Sequence, residues 1–369
     1  MPKKQPKKNG LQALKDDLIK RLNKGKTLPI AFDLSDDESF VVKDFIPTGC
    51  WLLDHAITNK EDKGGFPAGR LIEVAGEYSV GKSLLAGTFI AEAQKLGGWG
   101  TLVDSELSVE KTFLEETLNV NLDKFTLIQT KVLETAFEEV EKAIGIVHEH
   151  FPKMPITVVY DSMAGLKTIN WRKLGKDDDH NAIQMYEAKK LGVLLDEAVD
   201  VMMKEKVCMV CVAQARDNIG GMSFGPKKKA SSGNSLKHYA SVRVWLQKEK
   251  QIKKPDKDPH GIWIKAKIKK SNVGPPLKVV WFPIFFMSGI DNAQAELRYL
   301  LERKLIKKNG QDITIAFAGE KDPRRVKSRD WVKFYTENRE QIRQVIFQSL
   351  IVRRAVEESP PEEEEKDES

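Results

Sequence analysis

The sequence predicts an α/β protein: a core with a mainly parallel twisted sheet and helices on both faces, an N-terminal helix before it and a small C-terminal α/β region after it. Three observations carry that expectation. Short apolar runs at 71–75, 100–103, 126–128, 156–160 and 207–213 alternate with helical patterns at 84–96, 133–148 and 183–203, the signature of a parallel sheet with crossover helices. Several of those strands end in polar or acidic residues, where an open parallel sheet presents its ligand crevice. Between the first strand and its helix stands Gly76-Glu77-Tyr78-Ser79-Val80-Gly81-Lys82-Ser83, a G-x-x-x-x-G-K-S pattern in the strand–loop–helix context that binds phosphate.

In chain order, residues 1–10 read as a basic arm. Leu11, Leu14, Leu18 and Leu22 then recur at helical spacing, so 11–22 is one amphipathic helix. Such a helix is too short to stand alone in water and must dock, on its own core or on a neighbouring chain. Residues 26–44 look loop-like, with an extended piece at 40–42. After residue 240 the strands at 242–246, 262–268 and 277–282 follow one another through short charged or Pro/Gly turns, which suits an antiparallel extension. A helix at 293–305, a turn at Asn309-Gly310 and a helix at 328–350 suggest a small separate domain. The expected organisation is 1–44 for the arm and helix, 45–288 for the core, 289–356 for the small domain and 357–369 for an acidic, disordered tail.

Composition narrows the function classes. The 369 residues are 41% hydrophobic and 31% charged, with no apolar run long enough for a bilayer. The lysine-rich start has no apolar stretch behind it, so it is no secretory signal, and a cytoplasmic protein is expected. Cys50, Cys208 and Cys211 make no disulfide framework. The net charge of +6 conceals a tail, 357–369, with eight acids and one lysine. A basic body with an acidic tail suits a polyanionic partner, and it also suits a merely solvated surface.

The chemistry follows from the strand ends. Amide N–H groups of residues 76–84, ending at Leu84, would wrap an anion, Lys82 would add a point charge and Ser83 a hydroxyl for Mg²⁺. The run Ile156-Thr157-Val158-Val159-Tyr160-Asp161 has the Walker-B form, so Asp161 would orient the metal's water shell. Glu106, after a second strand, can take a proton from a water in line with the phosphate, or is a solvated loop residue. Gln214, ending a third strand, can bond a γ-phosphate and pass its presence to the loop that follows. That loop, 215–232, is glycine-rich and basic, with Arg216, Lys227, Lys228, Lys229 and an apolar tip around Phe224; a second loop, 168–181, carries Trp171 and Arg172. Cys208-x-x-Cys211 lies inside a strand and reads as packing. Asp177-Asp178-Asp179-His180 reads as solvated charge.

These residues resemble the RecA recombinases and their phage relatives, from about residue 47 to about 350. The resemblance rests on the phosphate loop, on Gly65-Phe66-Pro67-Ala68-Gly69-Arg70 before it, and above all on Ser232-Gly233-Asn234-Ser235-Leu236-Lys237-His238-Tyr239-Ala240-Ser241-Val242-Arg243. It implies a DNA-dependent ATPase using ATP and Mg²⁺, forming helical filaments of itself on single-stranded DNA and pairing that strand with homologous duplex DNA. A ring-forming helicase-type motor and an ATP-gated single-stranded-DNA scaffold are the alternatives. By resemblance Glu106 is the general base, Phe113 stacks on adenine, the two loops contact DNA, and Lys270 reaches a neighbour's γ-phosphate. The family's second trans lysine is Asn272 here, and His238 stands where the family has an interface phenylalanine.

Overall fold

The computed structural model describes residues 8–25, 42, 44–60, 64–170, 180–217, 228–230, 235–253 and 257–358. The chain divides into two compact units, one ending at Lys43 and the other beginning at Asp44.

The first unit contains helix α1 (Lys8–Asn23), one turn longer than the leucine spacing alone predicts. Leu11, Leu14, Leu18 and Leu22 are each more than half exposed, and Arg21 pairs with Asp17 on the polar side. The helix thus presents an intact apolar stripe to solvent.

The second unit opens with β1 (Phe45–Ile46), α2 (Trp51–Thr58) and β2 (Phe66–Pro67). The parallel core follows: β3 (Leu71–Gly76), α3 (Lys82–Lys95), β4 (Trp99–Asp104), β5 (Phe125–Gln129), α4 (Leu133–His150), β6 (Ile156–Asp161), α5 (His180–Glu205) and β7 (Cys208–Asp217). Then come β8 (Lys228–Ala230), the short α6 (Ser235–Tyr239), β9 (Val242–Ile252), β10 (Gly261–Ser271), β11 (Val279–Phe285) and β12 (Gly289–Ile290). The chain closes with α7 (Asn292–Glu302), β13 (Lys307–Asn309), β14 (Asp312–Ile315), β15 (Arg324–Lys327) and α8 (Trp331–Glu358), which bends at Asn338. There the Asn338 amide donates to Phe334 O, within the turn that deviates, and accepts from Arg324.

One large sheet organises this unit, in the order β12-β11-β10-β9-β3-β7-β6-β4-β5, with β8 pairing off β7. The strands from β9 to β5 run parallel, and β9 to β12 are antiparallel. Strands covered on both faces are near-continuously apolar, and successive residues serve opposite cores. Ile72, Val74, Val210 and Val212 join the core under α2, α3, α7 and α8. Leu71, Val158, Tyr160 and Met209 join the core under α4 and α5.

The same alternation decides the Cys-x-x-Cys pair. Cys208 belongs to the first core and Cys211 to the second, so the thiols face opposite sides of the sheet, and burial pushes both upward in pKa. Neither zinc nor redox chemistry can use them together.

One expectation is corrected. The third strand does not stop at residue 213: β7 continues through Gln214 to Asp217, because Ala215, Arg216 and Asp217 pair with β8. The α/β character expected beyond residue 289 is seen. A three-stranded sheet, β13-β14-β15, lies between α7 and α8. Trp331 anchors α8 to α7 by donating its indole N–H to Ala293 O at 2.8 Å. The arm 1–7, the extended piece around 40–41 and the tail 359–369 lie outside the described residues.

Candidate nucleotide-binding site

Parallel register brings the C-terminal ends of four strands to one edge. Gly76 of β3 stands opposite Gln214 of β7, and Asp104 of β4 opposite Asp161 of β6. The loop Glu77–Ser79 and Gly81 then leads into α3. Two glycines make it feasible: a Cβ on Gly76 would meet Leu246 O at 2.5 Å, and Gly81 has φ +77 with Ile284 Cδ1 2.5 Å from any Cβ. Val80 tucks into the core and Tyr78 projects into solvent. Free amides of the first turn of α3, from Lys82 to Leu84, face the loop's hollow by helix geometry alone.

Lys82 begins α3 and is buried. Its ammonium donates to Gly76 O at 3.2 Å and to Glu77 O at 2.5 Å, folding back on its own loop. Burial lowers its pKa, while Asp161 and Glu106 pull the other way. Asp161 accepts a hydrogen bond from the Ser83 hydroxyl, yet burial first, and the carboxylates of Glu106 and Asp104 after it, hold its pKa up. Three acids around one lysine leave surplus negative charge beside a hydroxyl. That hard, oxygen-only donor set fits a Mg²⁺ held chiefly through phosphates, and among the described residues no cluster of three His, Cys, Asp or Glu could hold a metal unaided.

The loop carrying Glu106 is built with more care than the sequence suggests. Asp104, almost wholly buried, accepts from Glu106 N (3.1 Å), Ser108 N (2.9 Å), Val109 N (3.1 Å) and the Gln129 amide (3.2 Å). Ser105 Oγ donates to Ser162 O at 2.7 Å and accepts from Ser162 N at 3.0 Å, clasping the ends of β4 and β6. The Asp161–Ser162 peptide is cis. Glu106 Oε1 then accepts from Ser162 Oγ at 3.2 Å and from Gln214 Nε2 at 3.1 Å.

Residues 13–291 of this chain match the RecA N-terminal domain. The chain belongs to the RecA family of ATPases. Protein RecA of Geobacter metallireducens is 32% identical over 308 residues, spanning 83% of this chain and 84% of the relative. Protein RecA of Porphyromonas gingivalis is 32% identical over 303 residues, 81% of this chain and 83% of the relative. Protein RecA of Heliobacterium modesticaldum is 30% identical over 335 residues, 89% of each chain.

In this RecA-family chain the remaining expected residues fall into three groups. Phe113 opens a π-helical turn, Phe113–Thr117, and its ring is partly buried against the main core. Lys270, next to last in β10 and after a bulge, donates to His238 O at 3.1 Å and Lys237 O at 3.4 Å, so it caps α6 within its own subunit. Its neighbour Lys269 lies 6.0 Å from the Trp245 ring centroid, and Asn272 is exposed. Burial and the Arg243 guanidinium hold Lys270 below the usual lysine range. Trp171, Arg172, Phe224 and Lys227 lie outside the described residues, and Arg216, Lys228 and Lys229 are described in backbone only, on β7 and β8.

One neighbour of the site escaped sequence reading. The β11–β12 turn exposes Phe286 and Met287, with Ile284 against Gly81 on one side and Gly289 near Thr117 O on the other. It therefore flanks both the phosphate loop and the Phe113 turn. Its signal was two exposed apolar residues, Phe286 and Met287, just before a Gly, hidden because the strand pattern simply continued into them.

Among the described residues no helix is long and apolar enough to cross a membrane.

Proposed function

We propose that this chain is a cytoplasmic DNA-dependent ATPase that polymerises on single-stranded DNA and catalyses homologous pairing and strand exchange with duplex DNA. The observation that carries the reading is the convergence of Lys82, Ser83, Asp161, Glu106 and Gln214 on one edge of the sheet, joined to family membership over most of the chain.

The residues divide the work. The loop amides and Lys82 bind the triphosphate, exchanging the carbonyls of Gly76 and Glu77 for phosphate oxygens. Ser83 and Asp161 hold Mg²⁺, which when bound neutralises charge on the β- and γ-phosphates. Glu106 takes the proton of the attacking water as the γ-phosphoryl bond breaks, leaving ADP and phosphate. Phe113 and the β11–β12 turn flank the adenine. Lys270 approaches from the next subunit, and α1 packs its leucines on the neighbouring core. Arg216, Lys227, Lys228, Lys229, Trp171, Arg172 and Phe224 serve DNA, the cations contacting phosphates and the apolar tips entering between bases.

The test is ATP hydrolysis with and without single-stranded DNA, followed by strand exchange. Wild type should be stimulated by DNA; Lys82→Ala should lose nucleotide binding and Glu106→Gln should bind nucleotide but not turn over. Absence of stimulation together with an active Glu106→Gln variant would refute the enzyme reading, and closed rings in place of open filaments would refute the recombinase reading.

A further inference from the structure

The backbone of Glu106 is fixed from two directions. Asp104 accepts its N–H, and the reciprocal Ser105–Ser162 bonds tie its loop to the end of β6. The remaining freedom is in its side chain, and there one carboxylate oxygen, Oε1, takes both the Ser162 hydroxyl and the Gln214 amide. Gln214 belongs by its backbone to the other half of the site, level with Gly76 where the phosphate loop begins. Gln214 thus joins the two halves, by its backbone beside the phosphate loop and by its amide on the base.

We propose that Gln214, assisted by Ser162, restrains Glu106: the two donors occupy Oε1 and keep it from the hydrolytic water until a terminal phosphate draws the amide away. This rests on the ATPase reading above. The physical basis is competition for one donor. A hydrogen bond from an amide to a carboxylate is charge-assisted, and it holds that oxygen in one direction. Phosphate oxygens compete for the same N–H. When the amide turns, Glu106 keeps only the bond from the Ser162 hydroxyl, and the change begins at the residue from which β7 runs on to Asp217. Activation of the base and the signal toward the following segment are then one event, and Ser162 is a positioning residue.

The experiment measures ATP turnover by the full chain with and without single-stranded DNA, and nucleotide affinity by titration with a fluorescent ATP analogue. Gln214→Met keeps length and removes the donor; Gln214→Asn keeps an amide that is one methylene too short to reach Glu106. Both should raise DNA-free kcat at saturating ATP on the order of tenfold and reduce DNA stimulation by the same factor, the analogue titration setting the saturating concentration. Ser162→Ala should raise DNA-free kcat by a smaller factor. A DNA-free kcat that falls or stays level in the Gln214 variants at saturating ATP overturns the restraint and leaves Gln214 acting on phosphate alone. If Gln214→Met fails to fold, Gln214→Asn decides by the same criterion. Failure of the underlying reading looks different: Glu106→Gln would then keep wild-type turnover, whereas failure of the restraint alone leaves Glu106→Gln inactive.

Discussion

Asp104 illustrates what a motif reading leaves out. The acid-rich strand end Asp104-Ser105-Glu106 was legible, and Glu106 drew attention because it can reach a water. Asp104 and Ser105 turn out to be the frame: four hydrogen bonds converge on one buried carboxylate and two more clasp Ser105 to Ser162. Nothing in one sequence says which acid of a pair turns inward, since both fit a strand end. Asp104→Asn keeps the shape but halves the acceptor capacity, at a cost of about 1–3 kcal/mol for groups left unsatisfied. We expect kcat to fall more than tenfold with nucleotide affinity retained, read from steady-state kinetics beside an analogue titration. An equal loss in both would show that Asp104 merely supports the fold.

The elements that sequence located best are strands buried on both faces, where a continuous apolar run bounded by polar residues leaves little choice, and a helix with one clear apolar stripe; β3, β4 and β6 are of the first kind and α4 of the second, and all fall within two residues of expectation. Elements with other physics were missed. All of α2 except Trp51 is buried, so Trp51–Thr58 has no polar stripe to mark it as a helix. The charged strands β13 and β15, Lys307–Asn309 and Arg324–Lys327, carry almost no apolar alternation. The extra length of β7 depends on pairing with a strand beyond a long loop, which no local window contains. Helix α1 is the opposite case, plain in sequence, with its stripe uncovered in the structure. Leu14→Asp with Leu18→Asp should leave the melting temperature of the second unit unchanged and abolish assembly into filaments, followed by sedimentation and calorimetry. A lowered melting temperature would mean that the helix supports its own core.

Across the molecule, two buried acids lie where α2, α7 and α8 meet the core. Glu296 is wholly buried and accepts from the Tyr335 hydroxyl at 2.8 Å and from Arg343 at 3.1 Å, while Arg343 stacks 4.8 Å from the Trp51 centroid. Asp54 accepts from Thr48 N at 2.8 Å. Burial pushes both acids up to about 7, against the bonds that pull them down. A carboxyl whose folded pKa exceeds its unfolded value binds more protons when folded. Its stabilising contribution is therefore present at low pH and lost as pH rises from about 4.3 toward 7. Glu296→Gln removes one titration, so the difference in stability between variant and wild type should shift in the variant's favour by up to ~3 kcal/mol between pH 5 and pH 8. Denaturant melts at both pH values without nucleotide measure it, and a difference independent of pH would contradict it. The sequence placed helices at 293–305 and 328–350 but did not show which acid would be enclosed by their packing.

The self-directed grip of Lys82 has a thermodynamic echo. Enclosure has already weakened that amine's hold on its proton, against the pull of Asp161 and Glu106, and its hydrogen bonds go to two carbonyls. Arrival of a polyphosphate restores the proton's hold, so at alkaline pH complex formation takes up hydrogen ions from the medium. Titration calorimetry should therefore give an apparent heat that changes with the ionisation enthalpy of the buffer, with the dependence fading as the solution is brought toward neutrality.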